Sequence, residues 1–539
     1  MPKRIPQTDL NAKLVFGGGV HSRGSEADID PRECADGENF VLDVQNAEMR
    51  NRKPYDLLGT TPNAAEIRGF ATLKDDAGTV TLLVQAGGTV YSWNGTTFTS
   101  VGSVSSSAKL RGRKEHYWPL NDLVIITDLN LQQPVMTWDG ATLSTMAHNL
   151  TGTFMAKYCH VANERANYAN VVSNGTATPH MLVGSALGDH DNLSVSSRPS
   201  SGATSADPWF LLTLDLRSIN GLVGAFGLLA LSSEDGRIFK LTGSDKTDFA
   251  IEEFYDNSAA SGNEALAFIG TDVLYGRVGR IESLIQSDKF GDVEKDDLSL
   301  VIANSIAGYK NWTLVYNHRT ELVYCFAESQ SDLWVLNKNL LLSSDERLLG
   351  ALGKGASGIS PWSKYTTQHS LSFQPTAVMN ALDPVDGLEY VFFGDGAGNL
   401  YKMEGSGASG DAGVAPIKTR RKSGLMSAPQ DAKLYDIEGY VRHRIAAAQT
   451  LTLRFLFAGE EVYSTNITVD LPADTGGSYF GGSFYFNDAA YFSSPFEGRL
   501  SRERFDIGGF ANEFQIETEI ESNADFQISE IGIQFTASA

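Results

Sequence analysis

Short apolar runs of strand length, each closed off by a glycine-bearing turn, recur along most of this chain, and stretches with helical period are scarce. The clearest unit spans residues 79–99: an apolar strand, a Gly87-Gly88 turn, a strand ending at Trp93, an Asn94-Gly95 turn and a third strand. Residues 122–143 repeat it more loosely, with Trp138 before an Asp139-Gly140 turn. The two tryptophans lie 45 residues apart, a plausible blade length. Asn-Gly between strand-like segments predicts a type I′ hairpin turn, because both residues tolerate positive φ. A sheet this small cannot bury both its faces, so such units must stack around a ring that protects their edges. Further units at 228–241, 272–284, 313–336 and 388–403 raise the expected count to roughly five to seven.

The expected fold class is therefore all-β, with a β-propeller-like domain of small antiparallel blades over residues 61–405. An N-terminal extension with the first strands occupies 1–60, and a Gly/Ser-bearing linker occupies 406–417. Beyond it, residues 451–457, 514–520 and 526–535 alternate apolar and polar side chains, as half-buried antiparallel strands do. A C-terminal antiparallel β-sandwich or jelly-roll-like domain is expected over 418–539.

With 539 residues, 42% of them hydrophobic, the chain can build two or three cores. No apolar run reaches the roughly 18 residues of a membrane span. Residues 1–6 lack the apolar segment of a secretory signal, which disfavours a periplasmic or extracellular scaffold. Cys34, Cys159 and Cys325 are far apart and are expected as small buried hydrophobes in a protein made in a reducing cytoplasm. The net charge of −22 argues against a protein that coats DNA. It fits solubility, or a surface to which passing nucleic acid does not stick.

No catalytic motif appears: no nucleophile elbow, no His-Glu-x-x-His, no phosphate loop and no Cys-x-x-Cys. The nine histidines are scattered singly, and the expectation is no enzyme, no cofactor and no metal. Gly17-Gly18-Gly19 reads as a turn. Asp189-His190-Asp191-Asn192 and residues 395–399 place oxygens close together but lack a calcium-loop spacing, so turn chemistry is the expectation for both. Paired acids for glycoside hydrolysis remain open, since their separation is a property of the fold. Two basic clusters stand out: Lys109, Arg111, Arg113 and Lys114, then Lys418, Arg420, Arg421 and Lys422. Each reads as a solvated turn or a subunit contact, with DNA or an acidic partner as the other reading. Tyr117 and Trp118 follow the first cluster.

The order of features adds a resemblance. Phe16-Gly17-Gly18-Gly19-Val20, then Asp30 to Phe40 through Glu38-Asn39, then Arg52-Lys53-Pro54-Tyr55, is similar to the opening of many tailed-phage virion proteins. Gly221 to Leu241, Asp272 to Leu284, and Ile359-Ser360-Pro361-Trp362-Ser363 before a last blade with Gly398-Asn399-Leu400-Tyr401 continue the likeness over nearly the whole chain. The layout resembles the tail hub or nozzle proteins of short-tailed bacteriophages, which are related to packaged-DNA stabilisation proteins. That resemblance implies a propeller-bearing virion subunit made in the host cytoplasm. It implies a homo-hexameric ring below the portal and adaptor, with double-stranded DNA passing through its lumen and no catalytic residues. In such a lumen, carboxylates from an acidic chain would repel phosphates. The competing reading is a carbohydrate-binding or carbohydrate-degrading propeller of a phage tail or secreted protein. Trp93, Trp138, Trp209, Trp312 and Trp334 would supply its aromatics.

Overall fold

The computed structural model describes residues 10–535, leaving out 16–17, 24, 26–28, 31–32, 44–47, 214–215, 226–227, 234–235, 256–259, 261–263, 271, 287–292, 342–359, 368–372, 406–409, 414–415, 428–436, 446–448, 458–459, 470–498, 506–512 and 523–525. Part of the Gly17 turn, Asp235 of the turn between the strands at 228–233 and 238–242, and part of the 406–417 linker therefore lie outside the described residues.

Seven antiparallel blades of four main strands each follow one another around an axis. Blade one starts at Ile67–Lys74, blade two at Leu110–Gly112, blade three at Phe154–Ala162 and blade four at Ile219–Ala225. Blades five, six and seven start at Leu266–Phe268, Trp312–Asn317 and Ala377–Leu382. These first strands are the innermost ones, each next to that of the following blade except between blades two and three, where Leu123–Asp128 meets Phe154–Ala162, and blade seven returns to blade one. Between blades one and two the inner strands pair directly and in parallel, Arg111 opposite Phe70 and Gly112 opposite Ala71. The ring is closed by a strand from the other end of the domain. Asp56–Thr60 pairs with Asn399–Lys402 and becomes the outer strand of blade seven.

All seven tryptophans are buried, each 2% exposed or less. Trp93 and Trp138 end the third strands of blades one and two, so the period seen in the sequence marks equivalent places in successive blades. Trp312 opens blade six against blade five, where Gly276 leaves room for it: a Cβ on Gly276 would lie 2.6 Å from the Trp312 Cβ. The turns after Trp93 and Trp138 differ from the expected type I′. Trp93 pairs with Phe98 and Trp138 with Leu143, which leaves four-residue loops. Only the glycine has positive φ in each, 98° at Gly95 and 90° at Gly140. Side-chain hydrogen bonds account for the longer loop. Asn94 Oδ1 accepts from the Thr96 and Thr97 amides at 3.0 and 2.9 Å, and Asp139 Oδ1 from Ala141 and Thr142 at 2.9 and 2.6 Å.

The second unit is a pair of six-stranded sheets packed face to face. The C-terminal strands Ile417–Ser423, Gln449–Phe457, Glu513–Ser522 and Phe526–Phe535 belong to it, as their alternation predicts. Leu451, Leu453 and Phe455 point inward at 1% exposure or less, while Thr452 and Arg454 take the other face. The sheets are not made by residues 418–539 alone. Leu10–Val15 pairs with Phe526–Phe535, and Cys34–Glu38 pairs with Ile417–Ser423. Phe40–Asp43 and Glu48–Asn51 form a hairpin on the first of these sheets. The N-terminal segment is therefore part of this sandwich, which it shares with the C-terminal strands.

Both units meet at Asn39 and Arg52. Asn39 is 2% exposed, at φ 61°, and every polar group on it is used. Its amide donates to Lys364 O at 2.7 Å, and its Nδ2 donates to Thr366 Oγ1 and Lys418 O at 2.9 and 2.8 Å. Its Oδ1 accepts from Arg52 Nε and the Thr366 amide, both at 2.8 Å. Arg52, 1% exposed, makes a two-pronged pair with Asp411, also 1% exposed, its Nη1 reaching Oδ1 at 2.7 Å and its Nη2 bonding Oδ2. The guanidinium also donates to Lys53 O and Thr366 O. Nearby, Gly19 lies against Trp362, whose carbonyl oxygen would be 2.0 Å from any Cβ there, and Val20 N donates to Trp362 O at 2.8 Å.

Two predictions follow from this burial. Arg52→Ala or Asp411→Ala leaves the other charge buried and unpaired, so each is expected to cost about 3–5 kcal/mol in urea denaturation. The double variant should lose less than the sum of the two, a coupling that a double-mutant cycle measures. All three cysteines are free and buried. Burial pushes the Cys34 thiol up to about 11, against the opposing pull of Arg421, and raises Cys159 and Cys325 as well. At pH 8 all three are protonated as well as covered, so a disulfide reagent should find no reactive thiol in the native chain and three after denaturation.

Candidate functional site

The inner strands of all seven blades line an axial cavity of about 580 Å³. That is the volume of a small-molecule site, too small to conduct a DNA duplex. The first basic cluster lies on its wall, because the inner strand of blade two carries Arg111 and runs into Arg113 and Lys114. Lys74 at the end of the blade-one strand and Lys157 in the blade-three strand join them. Against these five cations the lining holds three carboxylates, Glu115, Glu264 and Glu389. The propeller axis therefore carries the sign opposite to that of the whole chain.

Arg111 is buried and ion-paired with Glu264, which ties blade two to blade five across the axis. It is thus not a surface contact. Lys109 lies outside the cavity wall, its amide donating to Asp128 Oδ1 at 2.7 Å. Burial works against ionisation of Glu115, but Arg113 and then its own backbone amide outweigh it and hold its pKa low, so the carboxylate is charged. Burial pushes His116 down to about 3, and its Nδ1 donates to Ile125 O at 3.1 Å, which leaves Nε2 as an acceptor. His160 is also lowered, by burial first and then by Arg113, with Glu115 opposing. Both rings are neutral near pH 7, and the cationic character comes from Lys and Arg alone. Gly224 in blade four lets the His160 ring approach, since a Cβ there would be 2.3 Å from Nε2. Sequence reasoning singled out the blade-two cluster by its local charge density and missed Lys74 and Lys157. Their signal is a lone cation on a strand of otherwise apolar or small residues, which on an inner strand faces the axis.

The second basic cluster is placed differently. Along Ile417–Ser423 the side chains alternate: Arg421 is buried at 1% exposure, with Nη2 donating to Glu33 O at 3.1 Å, while Lys418 and Arg420 take the other face. There Arg420 pairs with Glu38 at 3.0 Å, Asp36 at 2.5 Å and Glu517 at 3.4 Å, and Lys418 pairs with Glu519 at 3.0 Å. Arg454 on the next strand takes Glu517 and Glu519 at 2.6 and 2.8 Å. Burial opposes the charge on Arg420, but Asp36, Glu38 and Glu517 raise its pKa, while Arg454 and Lys418 hold Glu519 low against its own burial. Lys422 lies opposite Glu517 and Asp36 in the two neighbouring registers. The run is a cross-strand charge ladder, already matched by acids of the same chain.

Residues 395–399 form a turn around Asp395, whose Oδ1 accepts from the Ala397 and Asn399 amides, each at 2.9 Å. Its Oδ2 accepts from Asn399 Nδ2 and Tyr401 OH at 2.8 and 3.1 Å, so turn chemistry accounts for it. Asp189, His190 and Asp191 bring one ligand atom each to within 4.8 Å of one another and, among the described residues, are the set able to hold a divalent cation. Burial and then Asp189 push Asp191 up to about 6, as in two carboxylates sharing a proton, and burial lowers the pKa of His190. The five tryptophans weighed as sugar-stacking groups are all interior.

No family model and no curated protein matches this chain. Among solved structures it is similar to the computationally designed Ika8 protein, at 12% identity and a TM-score of 0.35, over 65% of this chain and 99% of that one. It is also similar to the WD40 domain of Toxoplasma gondii coronin, at 11% identity and a TM-score of 0.37, over 68% of this chain and 86% of that one.

Proposed function

We propose that this chain is a structural subunit of a bacteriophage tail, a nozzle or hub that forms a ring below the portal and adaptor. In that role it retains packaged DNA and conducts it on ejection. The observation that carries the reading is where the residues of the family layout meet. Gly19 and Val20 lie against Trp362, Asn39 holds Arg52, and Tyr55 leads into the strand that closes blade seven. Stretches that lie up to 380 residues apart in sequence thus build one junction between propeller and sandwich. The net charge of −22 supports a lumen formed between subunits to which DNA does not stick. The glycan reading is the weaker one, because its aromatic residues are used in blade packing.

The test is the assembly of the purified full chain. Mass photometry and electron microscopy up to tens of micromolar are expected to show closed rings, six-fold on the family likeness, with a central opening wider than a DNA duplex. A particle that stays monomeric throughout, or a chain that hydrolyses glycans, overturns the proposal.

A further inference from the structure

The lining of the axial cavity is divided by blade. Lys74, Lys114 and Lys157 come from blades one, two and three, which are neighbours in the ring. The facing arc, on blades four to seven, carries the apolar side chains Leu222, Leu266, Phe268, Leu314 and Met379 together with Glu264 and Glu389. Arg111 is taken by Glu264, and Arg113 is the strongest charge acting on Glu115. Glu389 accepts from the His318 amide at 2.6 Å. The ammonium groups of the three lysines have no hydrogen-bond or ion-pair partner among the described residues. A chain of net charge −22 thus keeps three ammonium groups without an acidic partner on one wall of this cavity. Lysines placed only for solubility would be set among the acids that dominate this composition.

We infer that the axial cavity binds a small organic anion, with its phosphate or carboxylate head on the lysine arc of blades one to three and its apolar body against blades four to seven. The volume of about 580 Å³ suits a ligand of one or two rings. A lysine head is a strongly hydrated point charge with three donors, suited to either oxyanion. The apolar arc supplies the burial that a bare inorganic ion cannot use. The inference concerns one subunit and stands apart from the tail proposal.

Isothermal titration of the purified full chain with phenyl phosphate, phenylacetate, inorganic phosphate and benzyl alcohol tests it. At least one aromatic anion is expected to bind, and inorganic phosphate and benzyl alcohol to bind at least about tenfold more weakly than it does. Whichever of the two anions binds more tightly identifies the head group. Lys74→Glu and Lys157→Glu should each weaken that binding about tenfold, while Lys310→Glu, at an exposed position outside the cavity, leaves it unchanged. Thermal melts check that the variants fold, and Lys114→Gln, at an exposed position, serves if either strand variant does not. The inference is overturned if neither anion binds at about 10 mM, if benzyl alcohol binds as tightly, or if the folded lysine variants bind as the parent chain does.

Discussion

The pair between Arg52 and Asp411 is the contact on which the architecture turns. Taking two charges out of water costs several kcal/mol per ion unless every donor and lone pair finds a partner. Here the guanidinium reaches the carboxylate, the Asn39 side chain and the carbonyls of Lys53 and Thr366. Those groups belong to the N-terminal hairpin region, the exit of blade six and the chain leaving blade seven. An apolar cluster at the same place would hold the segments together without choosing their order. A planar fork that fits one arrangement chooses it. The rings of Tyr365 and Phe373 lie 5.7 and 5.6 Å from the same guanidinium, so the charge is enclosed by aromatic faces as well as hydrogen bonds.

The charge of the chain is arranged by element. On the sandwich, basic and acidic strands alternate and neutralise one another across four neighbours, and pairs this exposed contribute little to stability one by one. Their effect is on register, since a one-residue slip would set Lys418 and Arg420 opposite Ile520 and Thr518 instead of Glu521 and Glu519. On the propeller axis the lysines of three adjacent blades are left without an acidic partner. Two basic runs of similar composition therefore have opposite meanings: one is answered by acids of its own sheet, and the other faces an enclosed space.

What the sequence made legible is what has a local cause. The Trp93 and Trp138 period, the β class and the strands at 449–457, 513–522 and 526–535 follow from turn residues and alternation, and each appears where that pattern places it. The turn type after Trp93 was misread because the Asn94 side chain competes with the backbone for its own turn. Non-local pairing leaves no local mark, so nothing in residues 10–15 or 56–60 announces a partner near 530 or 400. The same limit hid half of the axial site: a cluster such as Arg111 to Lys114 is conspicuous, whereas Lys74 and Lys157 gain meaning only when the ring brings them together. The acids opposite Lys418 and Arg420 were equally hidden, on strands far away in sequence.

The exchange of strands between the two ends of the chain bears on how the protein is made. Leu10–Val15 and Asp56–Thr60 leave the ribosome early, but their partners at Phe526–Phe535 and Asn399–Lys402 come hundreds of residues later. At roughly 5–20 residues per second the first strand waits about 25–100 s for its neighbour. Through that interval an edge of the nascent sandwich and the last gap in the ring stay open, which is the state most exposed to pairing with another copy. The same delay couples completion to quality. A chain truncated before its last strand lacks the partner of Leu10–Val15 and leaves that sheet open, so only the completed chain protects the edge.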